Sequence, residues 1–127
     1  DKNRESLKIA SKRLPFVFVY GDIIKLDFPN NFYDIVFDRG LLIHLNEWDV
    51  TKAMDEMFRV SSKYIMNIEY HGEDGKPIEW RNGLPLYYRD MKERWKSYNV
   101  DIISDVEIPY EIDNNRVHYT LVRKHGS

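Results

Sequence analysis

Phe16-Val-Phe-Val-Tyr20 is an unbroken run of aromatic and β-branched residues, and it limits the folds open to this chain more than any other stretch. A strand with one wet face alternates apolar and polar residues, so a run without a polar residue belongs to a strand covered on both faces, as in a layered α/β sheet. Gly21 ends the run, Asp27-Phe-Pro-Asn-Asn31 is turn chemistry, and a second buried strand is predicted over 33–37. The clearest helix is predicted over 48–60. There Val50, Ala53, Met54, Met57 and Phe58 recur at helical spacing, with Asn46 as cap and Asp49 three residues on. Ser61-Ser62 then leads into a third strand over 64–70, and 71–77 reads as loop.

An opening helix is expected between an Asn3 cap and Pro15, with Leu7, Ala10 and Leu14 on one face. A second amphipathic helix is predicted over 89–98 from Met91, Trp95 and Tyr98. Two closing strands, over 100–108 and 117–123, have no helix between them and should therefore pair antiparallel. A dinucleotide-binding sheet, as in a dehydrogenase, would insert a crossover helix before each added parallel strand, and the closing hairpin disfavours it. No repeat, low-complexity tract or linker divides the chain, so 1–127 reads as a single domain.

Composition narrows the partners. A formal charge of -2 with both signs interspersed offers no field to attract nucleic acid or an anionic membrane, which leaves small molecules as the expected ligands. The chain has no cysteine, so disulfides and thiolate chemistry are excluded, and a cytoplasmic setting is the expectation. There is no apolar run of the ~18 residues a membrane span needs. His44, His71, His118 and His125 show no two-histidine helical spacing and no calcium-loop pattern occurs, so no metal site is expected.

Gly21-Asp22, followed twelve residues later by Asp34-Ile-Val-Phe-Asp-Arg-Gly-Leu-Leu-Ile-His-Leu45, resembles the middle of a class I S-adenosylmethionine-dependent methyltransferase. The fold this implies is α/β, an incomplete Rossmann-like class I methyltransferase sheet, mostly parallel, with a C-terminal antiparallel hairpin. Asp1 stands where such a domain has the acidic end of its second strand. The glycine-rich cofactor loop would then lie upstream, and the chain would be the rear two-thirds of an enzyme. In the family's strand order the first two strands sit between the third and the fourth. Without them, 16–20 would either slide beside 33–37 or be exchanged with a second copy, and the homodimer is the expected outcome because 27–31 leaves no room for a crossover helix.

The resemblance implies S-adenosylmethionine as cofactor and assigns roles by position. Asp1 would hold the ribose hydroxyls, Asp22 the adenine amino group, and Ile23 would cover a ring face; Asp38 and Gly40, after the second strand, would complete the cofactor side. At position 38 the family more often has a small or hydroxylated residue, and binding substrate or pairing with Arg39 or Lys neighbours are the alternatives for Asp38. A helix cap for Asp1 and a turn cap for Asp22 are the plainer readings. His44 would lie over the methyl-transfer centre with Glu69 as its acid-base companion. A histidine packed against the next helix, and an exposed strand end at 69–71, are the alternatives. Tyr70, His71, Arg81, Tyr88 and Arg89 could bind substrate by stacking or by pairing with a carboxylate, or could simply pack around a loop. The segments Ser61-Ser-Lys-Tyr-Ile, Glu69-Tyr70 and Tyr88-Arg89-Asp90 also resemble methylases associated with pseudaminic acid biosynthesis, which implies a sugar or sugar-linked acceptor. The competing reading is a non-enzymatic module that keeps the rear half of the fold for packing against a partner.

Overall fold

The computed structural model describes residues 16–17, 23–78, 86–109 and 115–126. The expected opening helix, with Asp1, and also Gly21, Asp22, Trp80 and Arg81, lie outside the described residues. The elements in chain order are β1 (Phe16–Val17), β2 (Tyr33–Arg39), a 3-10 turn (Leu42–His44), α1 (Glu47–Val60) and β3 (Ser61–Tyr70). They continue with β4 (Pro77–Ile78), β5 (Leu86–Tyr87), α2 (Met91–Trp95), β6 (Val100–Glu107) and β7 (Val117–Lys124).

Among the described residues the main sheet runs β1-β2-β3-β7-β6, and β4 and β5 form a separate two-stranded ribbon. β1, β2 and β3 are mutually parallel, whereas β7 is antiparallel to both β3 and β6. The open, mostly parallel sheet with a closing hairpin is as expected. In the sheet, Phe16 and Val17 lie parallel to Ile35 and Val36 of the same chain. Between the two strands, Ile23 and Leu26 enter the core.

Helix α1 forms where the periodicity places it, with the Asn46 side chain accepting from the Asp49 N–H at 2.8 Å. It ends without a loop: Ser61 turns directly to extended backbone, and β3 starts three residues earlier than the pattern implied, with Ser61 opposite Tyr33. Helix α2 is shorter than expected because Asp90 caps it through the Glu93 N–H, leaving Arg89 outside the helix. The β4/β5 ribbon replaces part of the predicted 71–77 loop and its sequel.

Register shows how the sheet serves the site. Val36, Ile65, Val122 and Ile102 are opposite one another in successive strands, so their side chains share one face. Val50, Ala53, Met54, Met57 and Val60 of α1, with Met91 and Trp95 of α2, join this row in the main core. Each fully buried Val or Ile here contributes ~1.5–3 kcal/mol. Two residues further along β2 the same face turns polar, as Asp38, Asn67, Thr120 and Asp105 form the next row, followed by Glu69, His118 and Glu107. These polar rows lie toward the carboxyl ends of the parallel strands, where ligands bind in open α/β sheets.

Candidate functional site

The site is built around the turn that follows β2. Gly40 adopts φ +64°, a left-handed conformation suited to glycine, and a Cβ there would meet nothing within 4 Å. The chain then reverses through the 3-10 turn, with Leu42 and Ile43 buried and His44 exposed.

Three buried side chains hold this turn from the sheet side. Asp38, 5% exposed, accepts from Asn67 Nδ2 at 2.5 Å and from the Leu41 N–H at 3.4 Å. Glu69, 2% exposed, accepts from the N–H groups of Leu42 and Ile43, each at 3.2 Å, one on each carboxyl oxygen. Asn67 completes the group by accepting from Trp95 Nε1 at 2.7 Å. No buried side-chain nitrogen or oxygen among the described residues lacks a partner.

Asp38 and Glu69 are hydrogen-bonded to each other. Burial, and after it the charge of Asp38, push Glu69 well above the ordinary carboxylate range. Burial raises Asp38 too, but hydrogen bonds from Glu69 and Asn67 pull it back. Both carboxyls are thus shifted upward, Glu69 the more strongly, so Glu69 is the one that takes up a proton first.

Arg89, 2% exposed, closes the other side of the turn. Its Nε donates to the Leu42 carbonyl at 3.3 Å and its Nη2 to the Leu45 carbonyl. Its guanidinium is thus directed to backbone oxygens of its own chain, the loop-packing alternative of the sequence reading. Glu69 likewise turns to the loop backbone and Asp38, and Ile23 lies in the main core. Tyr70 and Tyr88 pack on the small cluster of Ile43, Ile78 and Leu86, and the Tyr88 hydroxyl donates to Asn115 Oδ1 at 2.5 Å.

His71 stacks on His118, with ring centroids 3.6 Å apart and planes 6° from parallel. Burial, and then the charge of His118, lower the His71 pKa. His118 Nδ1 lies 3.1 Å from Asp105 Oδ2 and its Nε2 3.3 Å from Glu107 Oε1. Among the described residues no group of three or more His, Cys, Asp or Glu is arranged to hold a metal ion. No helix among them is long and apolar enough to cross a membrane.

The structure thus brings Asp38, Gly40, His44, Glu69 and Arg89 to one turn, while His71 stands apart against β7. Asn67 went unrecognised in the sequence, although its parity with Ile65 and Glu69 already put a polar side chain on the buried face of β3. Trp95 was read only as an apolar helix residue; that its indole N–H would reach Asn67 depends on where α2 packs on the sheet.

An open sheet of parallel strands closed by an antiparallel hairpin, with a polar site beyond the parallel strands' carboxyl ends, defines the class I methyltransferase fold. The methyltransferase domain family matches residues 1–63. The chain resembles a SAM-dependent methyltransferase from Methanosarcina mazei, with a TM-score of 0.66 at 12% identity over 82% of this chain and 65% of that one. It also resembles 1,6-didemethyltoxoflavin-N1-methyltransferase from Burkholderia thailandensis, solved with 1,6-didemethyltoxoflavin and S-adenosylhomocysteine bound. There the TM-score is 0.68 at 14% identity, over 85% of this chain and 50% of that one. The [4+2]-cyclase SpnF gives a TM-score of 0.65 at 12% identity, over 85% of this chain and 55% of that one. The chain therefore spans half to two-thirds of the length of these structures. No curated protein sequence matches it.

Proposed function

We propose that this chain forms the acceptor side of an S-adenosylmethionine-dependent methyltransferase acting on a small molecule. The observation that carries the reading is the turn 40–45, built on buried Asp38 and Glu69 beyond the carboxyl ends of two parallel strands, in a chain whose first half matches the methyltransferase domain.

The residues present fit such a cofactor on the described side. The acidic Asp38–Glu69 pair at the turn suits a positively charged sulfonium, and space is open over Gly40. By resemblance, Asp22 would hold the adenine amino group and Asp1 the ribose. S-Adenosylmethionine, when bound, supplies an electrophilic methyl group. The protein's part is then to hold the acceptor in line, which accounts for most of the rate gain in such displacements, and to take a proton from a hydroxyl or amine acceptor. His44 is the group for that step: it is exposed at the end of the 3-10 turn and borne on a backbone fixed from both sides. Glu69, enclosed and bonded to the Leu42 and Ile43 N–H groups, supports the turn. A carbohydrate or sugar-linked acceptor is the finer reading, resting on the resemblance in segments 61–70 and 88–90.

The test is transfer of a labelled methyl group, in the longest polypeptide carrying this sequence, to hexose-based and non-sugar acceptors. His44→Ala should lower turnover at saturating cofactor with affinity little changed, and Asp22→Ala should do the reverse. Failure to bind S-adenosylhomocysteine at ~1 mM, a binding energy weaker than about -4 kcal/mol, refutes the cofactor assignment. Tight binding without transfer to any acceptor refutes methyl transfer and leaves a cofactor-binding fold with another task.

A further inference from the structure

The turn that carries His44 is gripped by groups of opposite charge. On one side the Asp38–Glu69 pair takes its N–H groups at Leu41, Leu42 and Ile43; on the other, Arg89 takes its carbonyls at Leu42 and Leu45. Arg89 is itself fixed. Its N–H donates to the Tyr70 carbonyl at 3.0 Å, at the end of β3, and its Nη1 lies 3.9 Å from Oε1 of Glu47, the first residue of α1. Arg94 from α2 reaches the same Glu47 oxygen at 2.6 Å and Asp74 at 2.9 Å. One guanidinium therefore joins the end of β3, the turn and the start of α1.

Burying a guanidinium is costly unless its donors are satisfied, and here two of them are matched to carbonyls three residues apart. The planar fork can span that separation in one fixed orientation. A lysine ammonium, a single point on a flexible stem, cannot hold both carbonyls in the same way.

We infer that Arg89 is a positioning residue that acts through the turn, holding the backbone of His44 where an acceptor must be aligned; this rests on the methyl-transfer reading above. It acts from the segment between β5 and α2, beyond the part of the chain that matches the methyltransferase domain. A loose turn would leave the cofactor side intact and misalign the acceptor, a loss that falls on turnover.

The experiment is amide hydrogen exchange on the whole chain, comparing wild type with Arg89→Lys. Exchange at Leu42, Ile43 and Leu45 should accelerate ~10-fold or more, with Met54 and Met57 in α1 unchanged. In the methyl-transfer assay the same variant should lose ~10–100-fold in kcat, with S-adenosylhomocysteine affinity held within about twofold. Equal acceleration in α1, or none in the turn, overturns the proposal, because Arg89 would then be a general stabiliser or a bystander. Should Arg89→Lys not fold, wild type alone decides. An Arg89 Nε–H resonance protected from water and coupled across the hydrogen bond to the Leu42 carbonyl carbon supports the clamp, and a freely exchanging one overturns it. If the exchange pattern holds while wild type methylates nothing, the clamp stands and the reaction reading falls.

Discussion

Replacing Glu69 with Gln tests whether a buried proton holds this site together. In wild type, Glu69 accepts from two backbone N–H groups, those of Leu42 and Ile43, and burial beside Asp38 raises its pKa so that its protonated form can donate to Asp38. In the Glu69→Gln variant the new side chain would keep the donation to Asp38 through its amide nitrogen and one acceptor through its carbonyl oxygen, leaving one buried N–H without a partner. That costs ~1–3 kcal/mol at low pH. The pH dependence then separates the two proteins. Glu69 titrates above its unfolded value, so between the two values the native state binds the proton that the unfolded chain has released. The stability that proton contributes is therefore complete below the ordinary glutamate range and is lost as pH rises toward the raised native value, at no more than ~1.4 kcal/mol per pH unit. The glutamine variant has no proton to lose at this position, and its amide favours ionised Asp38 at every pH. The destabilisation should thus be largest in acid and shrink as pH rises. Urea unfolding followed by tryptophan fluorescence, from pH ~4 to ~9, measures the difference directly. A difference that stays constant across that range would show that Glu69 holds no proton against Asp38.

Three further outcomes follow from the same geometry. Asn67→Leu removes one donor from the Asp38 carboxylate and strands the Trp95 indole N–H, so it should cost ~2–5 kcal/mol, and a double-mutant cycle with Trp95→Phe should recover ~1 kcal/mol as coupling; strict additivity would refute the Asn67–Trp95 bond. Gly40→Ala should cost ~1–2 kcal/mol from the left-handed backbone alone, with Gly40→Asn milder, because a Cβ there meets no atom; equal losses for Ala and Asn would point to something other than φ. Gly72→Ala places a Cβ 2.8 Å from Tyr88 Cγ, so it should cost ~1–3 kcal/mol and release the Tyr88 hydroxyl from Asn115, seen as a shifted tyrosine ring resonance; an unmoved ring would refute the close approach.

Local chemistry made the parallel strands, α1 and the closing hairpin readable in advance. The largely apolar stretch 33–37, the helical spacing from Val50 to Phe58 and the Asn46 cap each act within a few residues, so their outcome depends little on what packs against them. Boundaries were less legible. β3 takes in Ser61 and Ser62 because Tyr33 supplies a partner for the first of them, and α2 is cut short because Asp90 takes the capping position.

The candidate site divides along the same line. Asp38, Gly40 and Glu69 stood out as strand-end residues, since the carboxyl end of a parallel strand is where a ligand meets the sheet, whereas His44 stood out only through the family resemblance. Their contacts depended on register. Asp38 meets Asn67 because β2 and β3 pair as they do, and Arg89 reaches Leu42 across 47 positions only once the segment before α2 is pinned beside the end of β3. A guanidinium in a sequence reads the same whether it awaits a substrate or clamps a backbone. Burial separates the two, because a charge removed from water must find its partners nearby, and here those partners were the carbonyls of the turn.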